Sequence, residues 1–373
     1  MAIKTFFSTR TGVDAVLADI ARQSDAVAGS FTPRMVLFFS TSNIDLQKLN
    51  AGMKKMFSAK TDVFGCTTAG EIYSGRVMKN SVVVMSFDKE TIEDVRIEVV
   101  ENIRENTGLR EAFRNFEYYF GVHMTYLDFK RYVGMVFIDG MSGAEEKVME
   151  TISGLTNVQF IGASAGDDLK FKETHVFANG RMYTNAAIVV LIKAKADFGF
   201  IKTQSFKKLG RALTATKVDE ASRVVLELDD KPAVDAYSEA LGIRPEDASL
   251  RFMTNPVAIV SEGELYVRSP QQTIGKSIKF YCKINNGSKL ELLESTNIVE
   301  DTRKAVEKKL SISGKISGII NFSCILRAQE LEEKNEIEAY GNVFSGIPTI
   351  GFNTYGEELI YHINQTATML VFK

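Results

Sequence analysis

One short phrase is written three times in this 373-residue chain. It reads GlyCysThrThrAlaGlyGlu at Gly65 to Glu71, GlyAlaSerAlaGlyAsp at Gly162 to Asp167, and GlyPheAsnThrTyrGlyGlu at Gly351 to Glu357. Each copy closes an apolar run with a glycine, small or polar residues, a second glycine and a carboxylate. The flanks recur in the same order. Apolar runs come first, at Met35 to Phe39, Tyr132 to Ile138 and Ile316 to Phe322, and a helix-like stretch follows each. A short apolar lead-in then reaches the phrase, and β-rich runs come after it at Ser81 to Phe87, Ala186 to Ile192 and Thr366 to Phe372. Recurrence of neighbours in fixed order predicts three copies of one unit, β, α, β, glycine turn, β.

The length exceeds what one core usually serves, so two domains are expected. The predicted fold is α/β or α+β, with two closely packed lobes built from the repeated units. The lobes are 1–210 and 211–373, and the second is richer in strands. Val13, Val16, Leu17 and Ile20 recur at helical spacing behind Thr11 or Gly12. Leu46, Leu49, Met53, Met56 and Phe57 predict a second helix, with capping side chains at Ser42 to Asp45. Further helices are predicted over Leu109 to Phe120, Ala144 to Leu155, Ala233 to Leu241 and Thr296 to Leu310. From Asp197 onward strands dominate, at Phe198 to Ile201, Arg211 to Thr216 and Val224 to Leu228. SerGluGly at Ser261 to Gly263 is a hairpin candidate. AsnAsnGly at Asn285 to Gly287 is a stronger one, because Asn and Gly accept the positive φ of tight turns.

A formal net charge of -2 with dispersed lysines and arginines gives no basic stripe for phosphate neutralisation, which argues against nucleic-acid binding. Met1 to Arg10 holds an apolar Phe6 and Phe7 pair but no signal-peptide pattern, and no apolar run reaches the ~20 residues of a membrane span. A cytoplasmic location is expected. Three cysteines, Cys66, Cys282 and Cys324, are too few and too scattered for a disulfide framework or a CxxC metal site.

Gly162, Ser164 and Gly166 spell GxSxG, the spacing of a hydrolase nucleophile elbow. An elbow needs a helix directly after the serine, whereas Asp167 to Phe177 leads into turn and strand residues. The other copies carry Thr67 or Thr68 and Asn353 or Thr354 there, so the slot reads as structural, and no enzymatic activity is expected. A phosphate cradle fits no better, since each phrase ends in an acid. Glu71, Asp167, Asp168 and Glu357 suit a ligand ammonium group, or equally the backbone amides of their own turns. Arg327, after Cys324, could hold a carboxylate in two parallel hydrogen bonds, or an internal acid. His123, His175 and His362 do not cluster, so no metal is expected. His175, beside Asp167 and Asp168, is the candidate axial ligand if haem is bound.

These residues resemble a known family. GlyCysThrThrAlaGlyGluIle at Gly65 to Ile72, and IleGlyAlaSerAlaGlyAspAsp at Ile161 to Asp168 with ThrHisValPhe and the AsnGly at Asn179 after it, resemble landmarks of the FIST N-terminal domain. AsnPheSerCysIleLeuArg at Asn321 to Arg327, GlyIleProThrIleGlyPheAsnThrTyrGlyGluGlu at Gly346 to Glu358 and HisIleAsnGlnThr at His362 to Thr366 resemble the FIST C-terminal domain. The likeness spans nearly the whole chain. It implies a bacterial-type sensory module for small ligands, amino acids foremost, signalling to a histidine kinase, chemoreceptor or cyclic-dinucleotide enzyme. Some members of the family are haem-containing nitric-oxide sensors. The chain holds no output domain, so a separate partner is implied. The expected ligand contacts are Cys66, Thr67 and Glu71 in the first phrase, Ser164, Asp167 and Asp168 in the second, and Cys324, Arg327, Tyr355 and Glu357 around the third. Phe352 and Tyr355, larger than Cys66 and Ala69, would wall a pocket or fill a core.

Overall fold

A computed structural model describes residues 3–27, 31–105, 108–261 and 263–373. Strand outweighs helix, 41% to 26%, so the sheets set this mixed α/β architecture. The chain divides into two compact units. The first comprises Met1–Thr203, Thr302–His362 and Ala367–Lys373, and the second Gln204–Asp301 and Ile363–Thr366.

The first unit carries the repeats. In copy one, β1 (Ile3–Ser8) and α1 (Val13–Asp25) lead into β2 (Pro33–Ser40), α2 (Leu46–Met56) and β3 (Asp62–Thr67). A hairpin of β4 (Glu71–Tyr73) and β5 (Arg76–Met78) precedes the last strand, β6 (Val82–Asp88). Copy two keeps this order. Its lead-in is β7 (Ile92–Glu101) and α3 (Leu109–Phe120), followed by β8 (Tyr132–Ile138), α4 (Glu145–Ser153) and β9 (Phe160–Ser164). Its hairpin is β10 (Val176–Ala178) with β11 (Arg181–Tyr183), and its last strand β12 (Ala186–Ala194).

After β13 (Phe198–Gln204) the chain runs through the second unit. The elements there are β14 (Phe206–Asp219), β15 (Val224–Leu228), β16 (Lys231–Pro232), α5 (Ala233–Leu241), β17 (Val257–Ser261), β18 (Glu264–Arg268), β19 (Pro270–Ile274), β20 (Ser277–Phe280) and β21 (Lys289–Ser295). Helix α6 (Ile298–Ser313) then leads to copy three: β22 (Gly318–Cys324), α7 (Ile325–Glu333), α8 (Ile337–Asn342), β23 (Thr349–Thr354), the hairpin β24 (Gly356–Leu359) and β25 (Tyr361–Ile363), and β26 (Thr366–Phe372).

The three copies build three six-stranded sheets of identical plan. Each sheet runs lead-in strand, last strand, first strand, second strand, and is completed by the hairpin of another copy. The order β1-β6-β2-β3 continues into β10-β11 of copy two, β7-β12-β8-β9 into β24-β25 of copy three, and β13-β26-β22-β23 into β4-β5 of copy one. The hairpins are thus exchanged in a ring. First and second strands pair in parallel, with Phe38, Val136 and Asn321 opposite Gly65, Gly162 and Gly351. This explains the first glycine of each phrase. A Cβ there would lie 1.7, 1.7 and 2.0 Å from the carbonyl oxygens of Phe38, Val136 and Asn321, closer than any side chain can come.

The inner faces of the three sheets share one apolar core. The residue after each of those partners is a phenylalanine, and Phe39, Phe137 and Phe322 meet as a triangle with ring centroids 5.7, 5.7 and 6.1 Å apart. Outer faces are helix-covered. The spacing of Val16, Ile20, Leu49 and Met53 places α1 and α2 over the first sheet, and Leu109, Phe113, Phe116, Val148 and Ile152 place α3 and α4 over the second. Helix α7 packs on β22 and β23, and α8 on β5.

The second unit is an eight-stranded sheet, β18-β17-β21-β14-β15-β20-β19 with β16 beside β15, whose core includes Leu213, Val225, Tyr237, Phe252, Ile278 and Leu292. One sequence expectation fails there. AsnAsnGly makes a turn, with Ser288 donating to the Asn285 carbonyl at 3.1 Å and Gly287 at φ 80°, but no hairpin. Strand β20 pairs with β15 and β19, while β21 pairs with β14 and β17. The turn is captured instead by β14, where Gly287 donates to the Ala215 carbonyl and Ala215 to that of Ser288. The SerGluGly candidate does join a paired hairpin, β17 with β18; its Glu262 lies outside the described residues.

Candidate functional site

The exchange of hairpins brings the three glycine phrases together, because each phrase is the point where the chain leaves its own sheet for the next. Backbone bonds repeat around the ring. Ala69 donates to the Asn353 carbonyl at 3.1 Å, Gly166 to that of Thr67 at 3.0 Å, and Tyr355 to that of Ser164 at 3.3 Å. Asn353 also donates to Gly70 at 2.8 Å and Asp168 to Thr68 at 3.0 Å. By these equivalences the middle copy keeps the spacing of the other two and carries an additional acid, Asp167, where they have Gly70 and Gly356. Gly166 stands where Ala69 and Tyr355 do, and Asp168, not Asp167, answers to Glu71 and Glu357.

Each acid then has a distinct environment. Glu71 is fully buried; its Oε1 accepts from the Thr68 hydroxyl, and its Oε2 accepts from the Ser81 amide at 3.1 Å and hydroxyl at 2.5 Å. Burial pushes its carboxyl up to about 8, against the pull of those donors. Glu357 repeats the arrangement, accepting from the Thr354 hydroxyl at 2.5 Å. Asp167 accepts from the amides of Phe171, Lys172 and Glu173 at 2.9, 2.7 and 3.1 Å and from the Tyr355 hydroxyl. Burial opposes its ionisation, yet the Tyr355 hydroxyl and the three amides outweigh that and hold the carboxyl below its ordinary range. Tyr355 also accepts from the Leu169 amide at 3.0 Å and stacks on Phe171 at 4.7 Å. Asp168, at φ 55°, accepts from Thr41 Oγ1 and from the amide and hydroxyl of Ser42 at 2.7 to 2.9 Å.

The neutral members of the phrases are as firmly placed. Cys66 and Phe352 sit in the shared core, and burial drives the Cys66 thiol well above its ordinary value. Thr67 binds His175 through both backbone and side chain, accepting from its amide at 3.0 Å. Ser164, completely buried, ends β9, and no helix begins before β10. Its hydroxyl donates to Glu358 Oε1 at 3.3 Å, while that same oxygen lies 2.8 Å from Nδ1 of His362. The carboxylate therefore stands between serine and imidazole, an order unlike that of a hydrolytic triad, in which the imidazole touches the serine. Burial raises the Glu358 carboxyl, with His362 opposing, and its Oε2 has no hydrogen-bond partner among the described residues.

Cys324 ends β22 opposite Thr354 of the third phrase, and α7, which begins there and carries Arg327, packs Ile325 and Ala328 against Ala69 and Tyr355 of the joined turns. Arg327 is buried, donates to Thr302 Oγ1 at 2.9 Å and stacks 5.9 Å over the Tyr340 ring. His175 has Nε2 3.5 Å from a Glu173 oxygen, and its buried Nδ1 has no hydrogen-bond partner among the described residues. His123 is on the surface beside Glu117 and Thr125.

A cleft of about 330 Å³ opens beside the first phrase, at the ends of β1 and β2. Thr9, Arg10, Thr11 and Gly12 form one wall, and Thr41, Asn43, Asn80 and Ser81 the other. Two of its residues reach the phrase acids, since Ser81 binds Glu71 and Thr41 binds Asp168. Sequence reading missed this wall and the Ser164, Glu358 and His362 contact. The second carboxylate directly after the third phrase, with a histidine four residues on, was the available signal for the latter; the cleft depends on loops brought together only by the sheet.

Family models match the chain over nearly its whole length, the FIST N domain at residues 34–231 and the FIST C domain at residues 233–359. No curated protein sequence matches it. FIST domains are associated with sensing in signal transduction and are not known as enzymes. On the two matches and the landmarks they contain, the chain belongs to the FIST family.

Proposed function

We propose that the chain is a sensor whose small polar ligand, an amino acid or related zwitterion, binds in the cleft between Thr9 to Gly12 and the Thr41 and Ser81 loops. A separate protein, such as a histidine kinase, chemoreceptor or cyclic-dinucleotide enzyme, then receives the signal. The observation that carries this reading is the convergence on one cleft of an arginine, a helix start and the walls of the joined turns. The Arg10 guanidinium makes no ion pair within 4 Å among the described residues, acting on Asp19 only through its field, and α1 starts there from Gly12, which offers no capping side chain. A ligand carboxylate would meet the arginine fork and the free amides of the first turn together. At about 330 Å³ the cleft suits a metabolite rather than a polymer. Thr41 and Ser81 tie the walls to Asp168 and Glu71, so closure on a ligand pulls on the turns that join all three sheets. Such a pull shifts a population only if the ligand prefers the closed state.

A thermal-shift screen of amino acids at millimolar concentration tests the reading. A ligand at a hundred times its Kd stabilises by about 2.7 kcal/mol, and Arg10→Ala is expected to abolish the shift. Absence of any shift, or a shift that survives the substitution, would sink the proposal. A Soret band in the purified protein that His175→Ala removes would replace it with a haem gas sensor.

A further inference from the structure

A second cleft, of about 420 Å³, lies in the outer layer of copy two, between α3, the Met124–Tyr126 turn and the Gly154 and Leu155 end of α4. Phe113 and Leu155 line its apolar part, and Arg110 and Arg114 stand over it. These two arginines are exposed and one helical turn apart, and among the described residues neither makes an ion pair or a side-chain hydrogen bond. Several other arginines are matched: Arg34 takes Asp62 and Asp94, Arg131 takes Glu93, and Arg244 takes Asp247. Like charges at this spacing disfavour the helix that carries them. The carboxylate lining the cleft, Glu117, is already engaged by the Met124 amide at 3.0 Å and faces His123 at 3.3 Å.

Two exposed tyrosines neighbour the lining residues. Tyr126, its ring 5.8 Å from that of His123, is 82% exposed, and Tyr118, one turn beyond Arg114, is 93% exposed. Exposed tyrosines beside arginines are the residues that anchor protein interfaces. A free anion would leave them idle, whereas a peptide would cover them.

We propose that this face of α3 is a docking site for an acidic segment of a partner protein. Arg110 and Arg114 each hold a carboxylate in paired hydrogen bonds, an apolar side chain enters between Phe113 and Leu155, and Tyr118 and Tyr126 pack along the segment. The inference uses a different surface from the ligand cleft and stands without it.

The test is fluorescence anisotropy with a fluorescein-labelled peptide rich in Asp and Glu around one leucine, titrated with the full chain at low salt. Binding is expected to weaken at least tenfold in R110E/R114E and severalfold in Tyr126→Ala. It should fall with added salt and stay within twofold in R181E/K208E, which changes charge equally at two exposed sites. A peptide with Lys in place of the acids should not bind. If charge reversal disturbs folding, R110Q/R114Q carries the same expected loss. Equal loss in R181E/K208E, no binding of the acidic peptide, or its displacement by inorganic phosphate at matching concentration would overturn the proposal, the last by making the cleft a site for small anions.

Discussion

Replacing Glu71 by Gln tests whether the sealed acid of the first phrase folds in its protonated form. In the folded chain its carboxyl rises from 4.5 to about 8, chiefly through burial. The proton has somewhere to go: the Thr68 hydroxyl, which donates to Glu71, can donate instead to the Ser40 carbonyl at 3.3 Å and so accept from the acid. Below pH 4.5 both folded and unfolded chains hold the proton, and the group costs nothing. As pH rises the unfolded chain releases it while the folded chain does not, so stability falls until the folded group ionises near pH 8. The full span corresponds to about 5 kcal/mol at ~1.4 kcal/mol per pH unit, and the part between pH 5 and pH 7 to about 3 kcal/mol. Gln lacks this titration but keeps an oxygen for the Ser81 amide. Urea unfolding of both proteins at pH 5, 7 and 8.5 should show Glu71→Gln gaining on the parent chain as pH rises. Glu358, also raised, and Asp167, lowered, remain in both and cancel in the difference. A difference that stays flat across this range, or that favours the parent chain at high pH, would refute the reasoning.

Two further outcomes follow from the same geometry. Gly65→Ala, Gly162→Ala and Gly351→Ala each set a Cβ within 2.0 Å of a strand carbonyl. Each should destabilise by about 3 kcal/mol or more in chemical denaturation, while Gly154→Ala, whose Cβ would sit 3.6 Å from the nearest atom, stays within about 0.5 kcal/mol. Tyr355→Phe removes a donor to Asp167 and an acceptor for Leu169, costing about 1–3 kcal/mol. Hydrogen exchange should quicken at the amides of residues 169 to 173; unchanged exchange there would count against Tyr355 as the latch of that loop.

Much of the first unit was legible in the chain because its signals are local. The spacing of Val13, Val16, Leu17 and Ile20 gives α1, Asp45 caps α2 by accepting from the Lys48 amide, and the three phrases mark equivalent turns. The choice of strand partner was not legible. Nothing within Glu71 to Met78 says that it pairs with residues near Ile350 rather than with its own β3, since an antiparallel edge accepts any strand of matching pleat. The same limit misled the reading of Asn285 to Gly287, where the turn residues are right but the neighbouring strands belong elsewhere. At the candidate site, the phrase acids could be found but not weighed. Whether Asp167 meets a ligand or three amides depends on where Phe171 to Glu173 fold back, and Arg10 enters the cleft only because β1 lies beside β6.

Because copies two and three each lend a hairpin to the copy before and copy one lends its own to copy three, the first unit is a closed circuit with no end repeat to peel away. Stacked repeat proteins lose terminal units one at a time, but removing any copy here strips an edge from its neighbour as well. The circuit also closes late. Strand β23 receives β4 across more than 270 residues of chain, and β26 ends at Phe372. During synthesis the first two copies therefore wait with β4 and β5 unmatched until the third emerges, the condition in which long-range pairing is slow and exposed edges invite aggregation. A fragment ending before copy three should be a sticky, incomplete ring rather than a smaller domain.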